Sequence, residues 1–110
     1  ITAVDRDGTG KGFDLDLVSY LTSILPVPLV ASGGAGCIND VLAVAPLCDA
    51  VSVASLLHYY LVRSLETSDY KFNSGGEFQI VENRRQQSNI YPVQLSELKE
   101  ALNNVGFLSR

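Results

Sequence analysis

The sequence predicts an α/β fold in which short parallel strands lie under outer helices. Three observations predict it. The apolar runs Ile1–Val4, Pro28–Ala31 and Ala50–Ala54 lack clean alternation, as strands buried in a parallel sheet do. The first two are each followed by small or polar residues and then by a helical pattern. The runs start roughly 22 to 27 residues apart, the spacing of repeated strand–helix units.

In the first helix Leu17, Leu21, Ile24 and Leu25 fall at i, i+4, i+7 and i+8, a face expected to lie on the sheet; Pro26 and Pro28 stop it and set the entry to the second strand. In the second helix Ile38, Val41, Leu42 and Ala45 form the equivalent face, and Pro46 marks its end. Beyond Ser55 the pattern changes. Leu56, Leu57, Tyr59, Tyr60, Leu61 and Val62 predict a short apolar helix, after which residues 66–94 lose helical periodicity. Tyr70 and Phe72 alternate before Ser74-Gly75-Gly76, and Phe78 and Ile80 after it, which reads as a hairpin. A last helix over Leu95–Val105 carries Leu95, Leu98 and Leu102 on one face, with Gly106 as its stop. Barrels and open sheets both satisfy this pattern.

A chain of 110 residues holds one domain or part of one and is too short for a complete eight-unit barrel. Its 46% apolar residues can build a core, and no apolar run reaches the ~18 residues of a membrane span. The net charge of −4, with six Asp but only Arg6 and Lys11 in residues 1–60, excludes a basic stripe for nucleic acid. Cys37 and Cys48 are expected at the two ends of one helix, too far apart for a disulfide, hence as reduced thiols of a cytoplasmic protein. His58 is the only histidine, so no metal site is expected, and a structural role suits it better than a catalytic one. The Tyr59-Tyr60 pair reads as packing and Arg84-Arg85 as solvated surface. The start at Ile1 and the lack of Met make the chain read as the later part of a longer protein.

Two loops hold the candidate chemistry. Asp5-Arg6-Asp7-Gly8-Thr9-Gly10-Lys11-Gly12 follows the first strand, where loops of α/β folds gather their active sites. Strand alternation would point Asp5 and Asp7 to one side, and a carboxylate there can serve as general acid or base. A solvated turn is the plain alternative. Ala31-Ser32-Gly33-Gly34-Ala35-Gly36 leads into the second helix, where main-chain N–H groups and the helix N-terminus can approach an anion. It has neither the dinucleotide-binding nor the P-loop spacing, and a tight turn without ligand is its alternative. Val53-Ala54-Ser55 ends the third strand beside them.

These loops, taken with Gly12-Phe13-Asp14, Ala54-Ser55 and His58, closely resemble the cyclase subunit of imidazole glycerol phosphate synthase. The resemblance covers residues 1–62 and resumes at Glu97-Leu98-Lys99. It implies the sixth to eighth units of a TIM (β/α)8 barrel, with residues 63–94 as an insertion and 95–110 as the C-terminal barrel helix. The implied activity takes ammonia from a glutaminase subunit and converts a bis-phosphorylated ribulosyl aminoimidazole carboxamide ribonucleotide into imidazole glycerol phosphate and the aminoimidazole carboxamide ribonucleotide. No cofactor or metal is implied, nor any nucleic-acid or membrane partner. Asp7 carries over as a supporting catalytic carboxylate, and Gly8, Ser32, Gly34, Ala54 and Ser55 as contacts to one substrate phosphate. The family's acid and base aspartates stand on the first and fifth strands, which this sequence does not contain, so the chain alone is expected to be inactive. The sister isomerase of histidine biosynthesis shares the Asp-Gly-Thr loop but matches the later motifs less well.

Leu47 replaces the glycine common before the eighth strand, which removes an easy left-handed helix cap. The long segment between Tyr59 and the last helix also suits a cyclase-like paralogue paired with an amidotransferase in surface-sugar biosynthesis. A non-enzymatic phosphate-binding half-barrel and a plain structural domain complete the alternatives.

Overall fold

The computed structural model describes residues 1–66 and 89–107. The expected hairpin and the Arg84-Arg85 pair lie outside the described residues. Two three-residue strands, β1 (Val30–Ser32) and β2 (Ala50–Ser52), pair in parallel with Val30 opposite Ala50, Ala31 opposite Val51 and Ser32 opposite Ser52. Thr2 joins the free side of β1 through a parallel bridge to Ser32. Order in space therefore follows order in sequence.

Each expected strand is shortened by a competing hydrogen bond. The expected strand Ile1–Val4 is reduced to the bridge at Thr2, because the N–H groups of Arg6 and Asp7 both donate to the Ala3 carbonyl at 2.9 Å and turn the chain away. Val4 is consequently 82% exposed. Pairing of β1 begins at Val30 rather than Pro28, since the Leu29 N–H donates to the Asp49 carboxylate at 2.7 Å. The β2 strand stops at Ser52, because Ala54 gives its carbonyl to the N–H groups of Leu57 and His58 and so caps the next helix.

Helix α1 (Leu15–Ile24) starts where Asp14 accepts the Leu17 N–H at 3.1 Å and ends before Pro26. Helix α2 (Ile38–Val44) tightens into a 3₁₀ turn over Ala45–Leu47. That turn resolves the junction at Leu47 without a left-handed residue, and the Thr22 hydroxyl satisfies the Leu47 carbonyl at 2.7 Å. Helix α3 (Ser55–Glu66) runs past the expected end at Val62. Helix α4 (Leu95–Asn104) closes in a Schellman motif: the Gly106 N–H donates to Asn103 and the Phe107 N–H to Leu102, both at 3.0 Å.

Helix α1 packs against α2 and its 3₁₀ turn, and α2 packs against α4. The core joins Phe13 and Val18 to Leu29, Ala31, Val41, Val44, Leu56, Val93 and Leu98. The expected α1 face is corrected. Leu17, Ile24 and Leu25 are exposed, while Val18 is buried and Leu21 packs beside it, because the narrow sheet and the neighbouring α2 cover only that flank. In α2, Val44 completes a buried face with Val41 and half-buried Ile38. Leu98 and Leu102 turn inward as expected, whereas Leu95 is exposed.

Strand burial is also one-sided. Ala31 is fully buried, but Val30 is 46% exposed and Ala50 and Ser52 are exposed, so the described residues cover the sheet on the helix face only. Both cysteines are free: Cys37 precedes α2, and Cys48 follows the 3₁₀ turn. Among the described residues no helix is long and apolar enough to cross a membrane.

Truncating the fully buried Leu56 to Ala should cost about 2–5 kcal/mol in urea unfolding of the full chain. Burial, more than the main-chain hydrogen bonds that oppose it, raises the pKa of the Cys48 thiol. A raised pKa means less thiolate at a given pH, so iodoacetamide at pH 8 should label Cys48 more slowly than glutathione, as read by mass spectrometry.

Candidate functional site

Parallel register brings the loops after Thr2, β1 and β2 to one end of the sheet. Asp7, Ser32, Ala54 and Ser55 are thus gathered at the carboxyl ends of adjacent strands, as the sequence predicts. Asp5 and Asp7 stand in a turn, not on a strand, so strand alternation does not aim them; both are exposed. The Asp7 carboxylate has no hydrogen-bond partner among the described residues, and its N–H holds the turn closed on Ala3. Gly8 follows with φ of 71° and nothing within 4 Å of a Cβ placed there, so its surroundings are open.

Register adds two residues that sequence reasoning did not single out. Thr2, Ser32 and Ser52 occupy one cross-strand row on the face without helices. Neighbouring strands lie ~4.8 Å apart, which spaces three hydroxyls in a line beside the loops. The signal is the strand register itself, and it becomes visible only once Ser32 is paired.

The glycine loops are packed main chain to main chain. The Gly12 N–H donates to the Gly34 carbonyl at 2.8 Å. Gly34 has φ of 108°, and a Cβ there would run into the Gly12 carbonyl and come within 3.0 Å of the Arg6 Cβ. At Gly36 a Cβ would meet the carbonyls of Gly10 and Asn89. Gly34 is therefore required by loop packing before any ligand is considered, and replacing it by Val breaks the loop contact first.

The N-terminus of α2 also differs from expectation. Asp40 bends its carboxylate back to accept the N–H groups of Gly36 at 2.8 Å and Cys37 at 3.0 Å, which removes two donors expected to be free for an anion. The sequence signal was an acid three residues after the cap, obscured because Cys37 is not a usual capping residue. The first-turn N–H groups of Ser55 and Leu56 precede the first bonds of α3, accepted by Ala54, and have no intrahelical acceptor.

An open cleft of about 380 Å³ lies beside this region, among Arg6, Lys11, Asp14, Asp16 and Asp40. It mixes charges of both signs and touches none of Asp7, Gly8, Ser32, Gly34, Ala54 or Ser55. His58 is exposed, with its ring tilted against Tyr59 at 5.8 Å, so it is not a core histidine. Among the described residues no group of three or more His, Cys, Asp or Glu side chains is arranged to hold a metal ion.

Two glycine replacements separate backbone conformation from contact. Gly8→Ala should cost ~1–2 kcal/mol for the left-handed backbone alone, and Gly34→Ala more, because it adds the collision with Gly12; urea unfolding of both variants checks the order. Asp40→Ala should cost ~0.5–2 kcal/mol in the same assay through loss of the cap.

Comparison with known proteins gives this geometry a family. The chain is 34% identical over 77 residues to "Imidazole glycerol phosphate synthase subunit HisF" of Sulfolobus acidocaldarius, covering 70% of this chain and 31% of that protein. It is 48% identical over 61 residues to the protein of that name from Clostridium beijerinckii, covering 54% and 24%. The counterpart from Pyrobaculum aerophilum is 37% identical over 81 residues, covering 73% and 32%. The chain thus spans about a quarter to a third of the length of these relatives. The model of the family described as "Histidine biosynthesis protein" matches residues 1–63, and the chain, with its parallel strands and glycine loops, belongs to that family.

Proposed function

We propose that this chain supplies the sixth to eighth units of a (β/α)8-barrel cyclase acting as part of imidazole glycerol phosphate synthase. Residues 1–62 are then barrel units, 63–94 an insertion and 95–110 the last barrel helix. One observation carries the reading: in a chain of this family, three loops converge at the carboxyl end of three adjacent parallel segments. Sequential strand order with helices on a single face further supports a barrel over a doubly wound sheet, which has helices on both faces.

On this reading one phosphate of a bis-phosphorylated substrate sits between the Ser32–Gly34 loop and Ala54-Ser55, with Gly8 across from it. The N–H groups of Ser55 and Leu56 are the donors best suited to it, since α3 has the longer run and Asp40 occupies the start of α2. Asp7 faces the reacting ribulosyl portion, where its negative charge stabilises positive character as it develops and orients the substrate. Thr2, Ser32 and Ser52 offer hydroxyls to the same polyol. The acid and base aspartates belong to other strands of the barrel, and a glutaminase subunit supplies ammonia. The protein works in the cytoplasm, without a cofactor.

Steady-state kinetics of the complete barrel, with ammonia supplied directly, tests these roles. Asp7→Asn should lower kcat at least tenfold with little change in KM, within the ~10²–10⁴-fold span of positioned proton and charge effects or just below it. Ser55→Ala, which keeps the N–H and removes the hydroxyl, should raise KM with kcat nearly unchanged, since the hydroxyl's hydrogen bond to a charged acceptor, about 1.5–3 kcal/mol, is lost equally in ground and transition states. A normal kcat with raised KM for Asp7→Asn would withdraw the supporting catalytic role. The 110-residue chain by itself should show no turnover, and steady activity from it as a monomer would overturn the division of roles among strands.

A further inference from the structure

We infer that residues 89–93 form a strap that sets the mutual position of the two glycine loops and, through them, the anion cradle; the second part rests on the function proposed above. The strap reaches three places at once. Asn89 lays its main chain against both Gly10 and Gly36, so closely that a Cβ at Gly10 would lie 2.7 Å from the Asn89 carbonyl carbon and one at Gly36 2.7 Å from its oxygen. Tyr91 donates its N–H to the Gly36 carbonyl at 2.7 Å, and Val93 donates its N–H to the Leu56 carbonyl in the first turn of α3 at 3.2 Å.

The ends of these contacts are anchored. Val93 is buried in the core, and Ile90 packs against it. Pro92, between the two donors, fixes its own φ and holds Tyr91 extended, so the donors keep one spacing. Tyr91 is 71% exposed as a residue, so its N–H to Gly36 is the contact that ties it to the loops. Gly10 belongs to the loop of Asp7 and Gly8, Gly36 to the loop of Ser32, and Leu56 to the helix start that follows Ser55. A shift of the strap therefore moves all three parts of the cradle relative to one another.

The discriminating pair is Tyr91→Pro, which removes the N–H, and Tyr91→Ala, which keeps it and loses only the exposed ring. Amide hydrogen exchange and titration with inorganic phosphate, both followed by NMR on the full chain, are the readouts. Tyr91→Pro should speed exchange at Gly12, Gly36 and Cys37 and weaken phosphate binding by about tenfold, the scale of one lost hydrogen bond, while Tyr91→Ala does neither. Pro92→Gly, which frees the spacing of the two donors without adding an atom to either glycine loop, should reproduce the direction of both effects if the Tyr91→Pro variant does not fold.

Unchanged exchange in the variants, or a freely exchanging Tyr91 amide in the parent, overturns the strap. Faster exchange with undiminished phosphate affinity overturns its link to the cradle. Should the parent itself fail to bind phosphate, the cradle of the proposed function falls and the link with it, while exchange alone still decides whether residues 89–93 hold the loops.

Discussion

The contact between Gly12 and Gly34 is the constraint on which the loop end of the molecule depends. A main-chain hydrogen bond of 2.8 Å joins the loop after Thr2 to the loop after β1, at a distance that no side chain on Gly34 permits. Gly36 repeats the arrangement against Gly10 and Asn89. Contacts of this kind trade the adaptability of side chains for position: main-chain atoms have no rotamers to readjust, so neither loop moves without the other. The glycines suggest a ligand cradle when read along the sequence alone. In three dimensions their first duty is to let backbone meet backbone, and the placement of Ser32 and Asp7 follows from it.

The same principle accounts for the acidic first half. Of six aspartates among residues 1–60, Asp14 caps α1, Asp40 caps α2 and Asp49 holds the Leu29 N–H at the entry to β1. Carboxylates satisfy donors that would otherwise be stranded where strands and helices begin. Half of the acidic side chains in this part of the chain therefore serve the structure. Asp5, Asp7 and Asp16 remain without such a duty among the described residues, and Asp7 alone of them pairs a free carboxylate with an N–H fixed at the strand end.

Helix existence is legible because periodicity and breakers agree, as at Leu21 with Pro26 and at Leu98 with Gly106. Strand limits are not. They are decided by hydrogen bonds to Ala3, Asp49 and Ala54, two of them carbonyls that every residue carries and that composition does not mark. The α1 face was misread for a related reason. Leu17, Leu21, Ile24 and Leu25 satisfy a helical stripe, yet Val18 lies beside that stripe, and only the neighbour across the helix decides which flank is buried. At the loop end, the positions of Ser32, Ala54 and Ser55 at strand ends are readable from motif order, whereas the row of Thr2 and Ser52 needs the register and Asp40 needs recognition of an unconventional cap. The hairpin expected around Gly75 lies outside the described residues.

One-sided burial connects these details to architecture. Adjacent parallel strands in sequence order, joined by crossovers of the usual right hand, send every helix to the same face. That is seen in the contact of α1 with α2 and in Ala31, buried beneath them. The opposite face carries Val30, Ser32, Ala50 and Ser52, small or hydroxylated except for one Val, and among the described residues no helix covers it. An open doubly wound sheet would cover that face with helices from a reversed half, favouring large apolar residues there. A barrel turns it inward, where strands converge, volume is limited and hydroxyls near the carboxyl end meet whatever the loops enclose. The exposed flank of α1, with Leu17, Tyr20 and Ile24, fits the same geometry, since a barrel helix packs on the sheet and against a neighbour on each side. Among the described residues α1 has a neighbour on one side only, so the apolar flank that looks misplaced on an open sheet is the flank a closed ring would cover.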